Sequence, residues 1–257
     1  MTIRNFALTY PQLMNQALRL KLNREEIIYL RKSYEFAAEI FDGLHRGQNV
    51  PFICHLVRVA SILLEEKLPI EVVVAGLLHA AYAVGCFKDL RHGWATLEHR
   101  AEVRDRFGDE VELLIYDYDK FSWYKKECVE MRLNQLETSD NHEKQLILMR
   151  LANELEDYMD YGMEYRGVFP YQEKLRAYGA QAIELARRLG REQLADELNE
   201  AFESHFNVNL PSIVLTNQRM SYQLPTLKWL KKSYPERLRI RSKEFIQKLI
   251  RVGNGKN

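Results

Sequence analysis

Cysteine is scarce in this 257-residue chain: Cys54, Cys86 and Cys128 stand far apart, with no CxxC pair. An odd number at that spacing argues against a disulfide framework and for free thiols in a reducing compartment. The expected location is the cytoplasm. Long apolar runs are missing as well. No stretch approaches the roughly 20 residues that a membrane span needs, and MTIRNFALTYPQ lacks the uninterrupted apolar segment of a secretory signal. Sequence signatures for phosphate loops are absent: there is no GxxxxGK[ST] and no GxGxxG. Zinc-finger spacing and a Ser-His-Asp arrangement are absent too. Glycine and proline are thin through the first two hundred residues, which leaves few breaks for a strand-and-turn architecture.

What is present is a chain that can build a core. Apolar residues make up 46%, too many for wholesale disorder. The net charge of +1 conceals an asymmetry, because from Pro225 onward ten Lys or Arg stand against two Glu. The rest of the chain is therefore acidic. Such a basic tail suits docking on the acidic body or on an anionic partner, and nucleic acid is not an expected partner.

Apolar residues recur at i, i+3, i+4 through most of the chain. The spacing predicts a short helix after Pro11 and a longer one from Asn23, with Glu26 in capping-box position. RGQNVP reads as a turn, and Pro51 opens the next helix, FICHLVRVASILLEEKL. Pro69–Gly85, PIEVVVAGLLHAAYAVG, is apolar on nearly every side and reads as one buried central helix carrying His79. Residues 85–96 read as a loop over the mouth of whatever that helix lines. Helices follow over 97–119, with a break at Phe107-Gly108, over about 124–136, and from Asp140 with Glu143 at its cap. A helical hairpin then turns at Gly190. Residues 206–225 lose the stripe and form a connector to the basic segment. The fold class is all-α, with a helical domain over 1–205 and a connector and basic C-terminal helical extension over 206–257.

Three segments in order resemble the HD-domain superfamily of metal-dependent phosphohydrolases, in particular the branch that hydrolyses guanosine tetra- and pentaphosphate alarmones. They are FAAEIFDGLHRGQNVPFICHLVRVASIL, then VVVAGLLHAA followed by FGDEVELLIYDYDKF, then LILMRLANELEDYM, together spanning about residues 33–165. The resemblance implies an HD-like helical bundle. It also implies a divalent-metal site whose four ligand positions fall on His55, His79, Ala80 and Asn153. Ala80 has no donor atom, and Asn153 keeps a carbonyl oxygen without the charge that draws a hard cation. The acidic pair that activates water in that family falls on Ala83 and Val84. RGQNVP is too short for the basic loop that holds the guanine ring there. The motif is degenerate, so the family's reaction is not expected.

Two readings of the remaining site stay open. Either the metal is lost and His55, His79 and Asn153 form a polar pocket, or Asp157 or Glu154 rebuilds a site with the two imidazoles that would suit Mn, Fe or Zn. The expected cofactor is none, and the ligands of a rebuilt site would be His55, His79 and Asp157. The leading functional expectation is a small-molecule binder or enzyme, of a biosynthetic kind, that reuses the old cleft. His79 and Tyr82 are its candidate catalytic residues, and His55, His79, Asn153, Asp157, Arg100 and Arg104 its candidate ligand contacts. The alternatives are a non-catalytic interaction protein on an HD scaffold and a metal-dependent phosphohydrolase with a rebuilt site. Composition leaves the oligomeric state open.

Overall fold

The computed structural model describes residues 3–89, 93–123, 126–166, 172–211 and 221–224. The first helix, α1 (Tyr10–Arg19), carries Pro11 in its first turn, where the missing N–H removes no helical bond. Helix α2 (Arg24–Ile40) starts at the expected capping box: Asn23 accepts from Glu25 and Glu26, and Glu26 reaches back to the Asn23 N–H. A two-residue strand, β1 (Leu44–His45), and a turn lead to α3 (Phe52–Glu65), buried along nearly its whole length.

The expected single helix over Pro69–Gly85 is two. Helix α4 (Ile70–Leu78) ends with His79 at its C-cap, Ala80 leaves helical geometry at φ −92 and ψ 6, and α5 (Ala81–Val84) adds one short turn. The imidazole accounts for the break. His79 Nδ1–H donates back to the Gly76 carbonyl at 2.7 Å, serving a carbonyl that the interrupted ladder no longer serves. Helix α4 is the centre of the fold and packs against α2, α3, α6 and α8. Leu63 of α3 fills the space that a Cβ on Gly76 would need, so α3 and α4 approach closely.

Helix α6 (Leu97–Lys120) carries the expected break at Gly108, whose φ of +79 suits glycine. Then come α7 (Lys126–Gln135), α8 (Asn141–Tyr158) with Asp140 capping Glu143, α9 (Gly162–Arg166), α10 (Gln172–Arg188) and α11 (Glu192–Asn207). Gly190, at φ +69, makes the turn of the expected hairpin. The architecture is an all-α bundle. Among the described residues no helix is long and apolar enough to cross a membrane.

One strand of the connector breaks the all-helical expectation. Strand β2 (Tyr222–Gln223) pairs antiparallel with β1, Leu44 opposite Gln223 and His45 opposite Tyr222. Residues 212–220 of the connector and the basic segment from Pro225 onward lie outside the described residues.

Candidate functional site

Helices α3 and α4 bring two imidazoles together. His55 and His79 are 4% and 6% exposed, and their Nε2 atoms face each other at 3.4 Å. Each ring is oriented from behind. The Gly76 carbonyl takes the Nδ1 proton of His79. His55 Nδ1 contacts Glu156 Oε2, and with the carboxylate ionised the proton must lie on Nδ1, because otherwise two lone pairs would meet. Both Nε2 atoms are left pointing into one cavity.

That cavity holds about 260 Å³ and is walled by Arg46, His55, His79, Tyr118, Arg150 and Asn153, with Ala80, Ala83, Val84, Phe52, Asp119 and Asp157 completing it. Tyr118 sets the edge of its ring on His79 at 4.9 Å and accepts at its hydroxyl from Arg150 Nη1 at 3.0 Å. Asn153 spends its amide N–H on Asp157 Oδ2 at 3.0 Å.

Arg46 dominates the floor. Its guanidinium is 2% exposed. Nη1 donates to Glu156 Oε2 at 2.5 Å, and Nη2 donates to Asp157 Oδ1. Burial alone would lower the Arg46 pKa, but Asp157 and Glu156 more than reverse this and hold it firmly charged. Glu156 answers in the same way: burial pushes it up, while His55 and Arg46 hold it well below the usual carboxylate range. His79 moves the other way. Burial first, then the neighbouring His55, depress it to about 3, so it is a neutral acceptor at Nε2 through the physiological range. Glu154, buried on α8, is raised to about 8 by burial and then by Asp157.

Arg46 is the residue that sequence reading missed. RGQNVP is a turn, as expected, closed by Arg46 N–H to the Val50 carbonyl at 2.9 Å and by Asn49 at φ +64. Short as it is, the turn still delivers a basic side chain into the cleft. The strand pair holds it from outside. His45 stacks on Tyr222 at 5.2 Å, the Tyr222 hydroxyl donates to Asn49 Oδ1 at 3.1 Å, and Leu224 N–H donates to the Gly43 carbonyl at 2.8 Å. The usable signal was an isolated basic residue nine positions before His55. Glu156, one residue before the candidate Asp157, was missed as well.

Tyr82, Arg100 and Arg104 are brought together, but not here. Tyr82 is fully buried, and its hydroxyl donates to Glu112 Oε1 at 3.1 Å. Arg100 grips the same carboxylate with two bonds of 2.6 and 2.9 Å, and Arg104 reaches it at 3.4 Å. Glu112 closes this cluster, and none of the three residues lines the His55–His79 cavity. The expectation of one shared cleft is corrected: α5 turns Tyr82 away from His79 and toward α6. None of the described residues of 85–96 lines that cavity, and Phe87 is buried and stacks at 4.1 Å on His99, itself only 3% exposed.

Comparison with known proteins bears on the whole bundle. A family model described as a domain of unknown function (DUF6817) matches residues 42–121. The bifunctional (p)ppGpp synthase/hydrolase SpoT of Escherichia coli K12 is 27% identical over 195 residues, covering 73% of this chain and 25% of that protein. The chain is therefore similar, over about three quarters of its length, to an alarmone synthase/hydrolase. A GTP pyrophosphokinase of Myxococcus xanthus is 29% identical over 183 residues, 66% of this chain and 22% of that one. The chain thus spans about a quarter of the length of these curated relatives. A solved structure, titled as a metazoan ortholog of SpoT that hydrolyses ppGpp, is 21% identical and covers 68% of this chain and 94% of its own, with a TM-score of 0.45.

The HD-like resemblance raises the question of a divalent metal, and the donor set answers it in two halves. The imidazoles fit. Two nitrogens 3.4 Å apart can be bridged by one first-row ion, and an outer acceptor behind each Nδ1 is the usual support of a metal-bound histidine. The oxygen donors do not fit. Ala80 offers nothing. The carboxylates that approach His55, Glu156 and Asp157, are both bound to Arg46. The Arg46 guanidinium thus already occupies the carboxylate oxygens that a cation would need. As folded, the cleft does not suit a hard dication.

Proposed function

We propose that the cleft between α3, α4 and α8 binds a small polar molecule of low net charge, of the nucleoside or nucleoside-monophosphate class, without a divalent metal. The observation that carries this reading is the balance of charge around the cavity. Arg46 and Arg150 stand against Asp119 and Asp157 in its wall, and Glu156 lies behind Arg46. Such a lining has no surplus of positive charge for a bare bis(diphosphate). It does offer directed hydrogen bonds: acceptors at the neutral His79 nitrogen and the Asn153 carbonyl oxygen, and donors at Arg46. A cavity of about 260 Å³ suits a molecule of nucleoside size. Guanosine is the base to try first, because several relatives are named as acting on guanosine-3',5'-bis(diphosphate).

His55 is the group with chemistry to offer. The Glu156 carboxylate holds its Nδ1 and turns Nε2 toward the cavity, the arrangement of an oriented acid–base group. His79 assists as an acceptor. Tyr82, Arg100 and Arg104 have no part in this reading.

Thermal shift in the presence of EDTA tests it. Guanosine or its monophosphate should raise the melting temperature by several degrees, and the bis(diphosphate) should raise it less. A His79→Ala variant should remain folded and lose the response. A larger shift from the bis(diphosphate), dependent on added Mn²⁺, would replace this reading with the second one. That second reading is a metal-dependent phosphohydrolase with a rebuilt site, and the facing Nε2 atoms of His55 and His79 are what favour it.

A further inference from the structure

Arginine grips acids in this protein by one particular edge. Arg4 donates from Nε and Nη2 to the two carboxylate oxygens of Glu197, at 2.7 and 2.8 Å. Arg100 does the same to Glu112, at 2.6 and 2.9 Å. Those two nitrogens carry the parallel N–H bonds of the guanidinium, the fork that matches a carboxylate or phosphate. Arg132, in the last turn of α7, presents the same edge to no acid among the described residues.

Arg132 is only 6% exposed, and an arginine is rarely buried that far without a counter-charge. Its Nη1 donates to the Cys128 carbonyl, one turn back on the same helix, at 3.1 Å. Its Nε is buried with no acceptor. The guanidinium carbon lies over the Phe121 ring, 3.7 Å from the centroid, so an aromatic face holds the group in place. Trp123 stacks on the same Phe121 with centroids 6.1 Å apart. Its indole N–H is a second buried donor with no acceptor among the described residues. Glu143 on α8 attracts Arg132 without pairing with it, and burial outweighs that attraction and lowers the Arg132 pKa. Buried charges are ordinarily neutralised and buried donors ordinarily met by an acceptor. Both conditions call for the same kind of group.

We infer that Arg132 anchors an oxyanion site beside the Phe121–Trp123 pair, taking one carboxylate or phosphate group of a small molecule on its Nε–Nη2 edge. Phe121, Trp123 and Arg132 do not line the His55–His79 cavity, so this site is separate from the cleft. The narrow exposure of Arg132 sets the size of the visitor: a group of a few atoms reaches that edge, and a folded partner does not. The parallel donors favour an oxyanion over chloride.

The test follows the Arg132 Nε–H resonance of the full chain by NMR. Sodium phosphate and, separately, sodium acetate are added, with chloride keeping the ionic strength constant. At least one of the two should shift the resonance saturably, as one site, and the tighter one names the group that the site prefers. Arg132→Lys keeps the charge and loses the fork, so it should bind the tighter probe at least about tenfold more weakly, read by calorimetry. Arg132→Met should not bind it. His79→Ala should bind it as wild type does. A wild-type resonance that moves no more with phosphate or acetate than with chloride would refute the site, and decides the case alone if Arg132→Met folds poorly. Wild-type affinity in Arg132→Lys or Arg132→Met would refute it too. Loss of binding in His79→Ala would place the anion in the cleft and end the separate site. Failure here leaves the reading of the cleft standing, because that reading is tested with guanosine and its monophosphate.

Discussion

Arg46 and Asp157 stand 111 residues apart and meet inside the protein, Nη2 against Oδ1, at 3% and 7% exposure. One comes from a turn held by a C-terminal strand, the other from the last turn of α8. Their meeting ties the two ends of the cleft together and decides what the cleft can hold.

Breaking that pair from the acid side should be costly. Removing one partner of a buried, hydrogen-bonded ion pair leaves the other uncompensated, at roughly 3–5 kcal/mol. Here Glu156 still serves Arg46, so Asp157→Asn should cost about 2–3 kcal/mol in urea unfolding, with an unchanged m-value. A loss under about 0.5 kcal/mol would mean that the pair does not hold the floor.

Tyr82 supplies the complementary test. Its hydroxyl serves Glu112 on α6, outside the cavity. Tyr82→Phe should therefore cost about 1 kcal/mol of stability, the usual worth of one hydrogen bond, and leave ligand affinity in the cleft unchanged. A tenfold loss of affinity would put Tyr82 back into the site.

The same cluster predicts a pH dependence. Glu112 is lowered because Arg100, then Tyr82 and Arg104, outweigh the burial that would raise it. A carboxylate lowered in the folded state contributes stability that is complete above its unfolded value, near 4.5, and is lost as the pH falls through the folded one. Glu112→Gln should thus be less stable than wild type at pH 7, and the gap should narrow below about pH 4.5 in melting curves. A gap independent of pH would remove the charge of Glu112 from the account.

How much of this was legible in the chain follows from which interactions are local. Capping at Asn23 and Asp140, the break at Gly108 and the hairpin at Gly190 depend on residues within four positions, so sequence reading found them. The pairing of His55 with His79 was legible through the HD-like resemblance. The splitting of Pro69–Gly85 was not, because it depends on His79 turning back to Gly76 where an apolar pattern predicts continuity. Arg46 was hidden for a different reason. A basic residue in a short polar turn ordinarily faces solvent, and only acids more than a hundred positions away bury it. Tyr82 was misplaced because helical periodicity was carried through Ala80, where the helix stops.

The strand pair makes a prediction about motion. Tyr222 stacks on His45 and bonds Asn49, the two ends of the segment that carries Arg46. Tyr222→Ala should speed amide exchange in residues 43–50 while leaving α3 and α4 protected, and should weaken ligand binding in the cleft several-fold. Exchange unchanged across 43–50 would show that the strand is not what holds the turn.

The most direct measurement of the central claim is calorimetric titration of guanosine 5'-monophosphate into the full chain in EDTA. The account predicts saturable binding at one site, lost in His79→Ala and unchanged by replacing EDTA with Mn²⁺. Absence of binding in EDTA, with saturable binding restored by Mn²⁺, would contradict it.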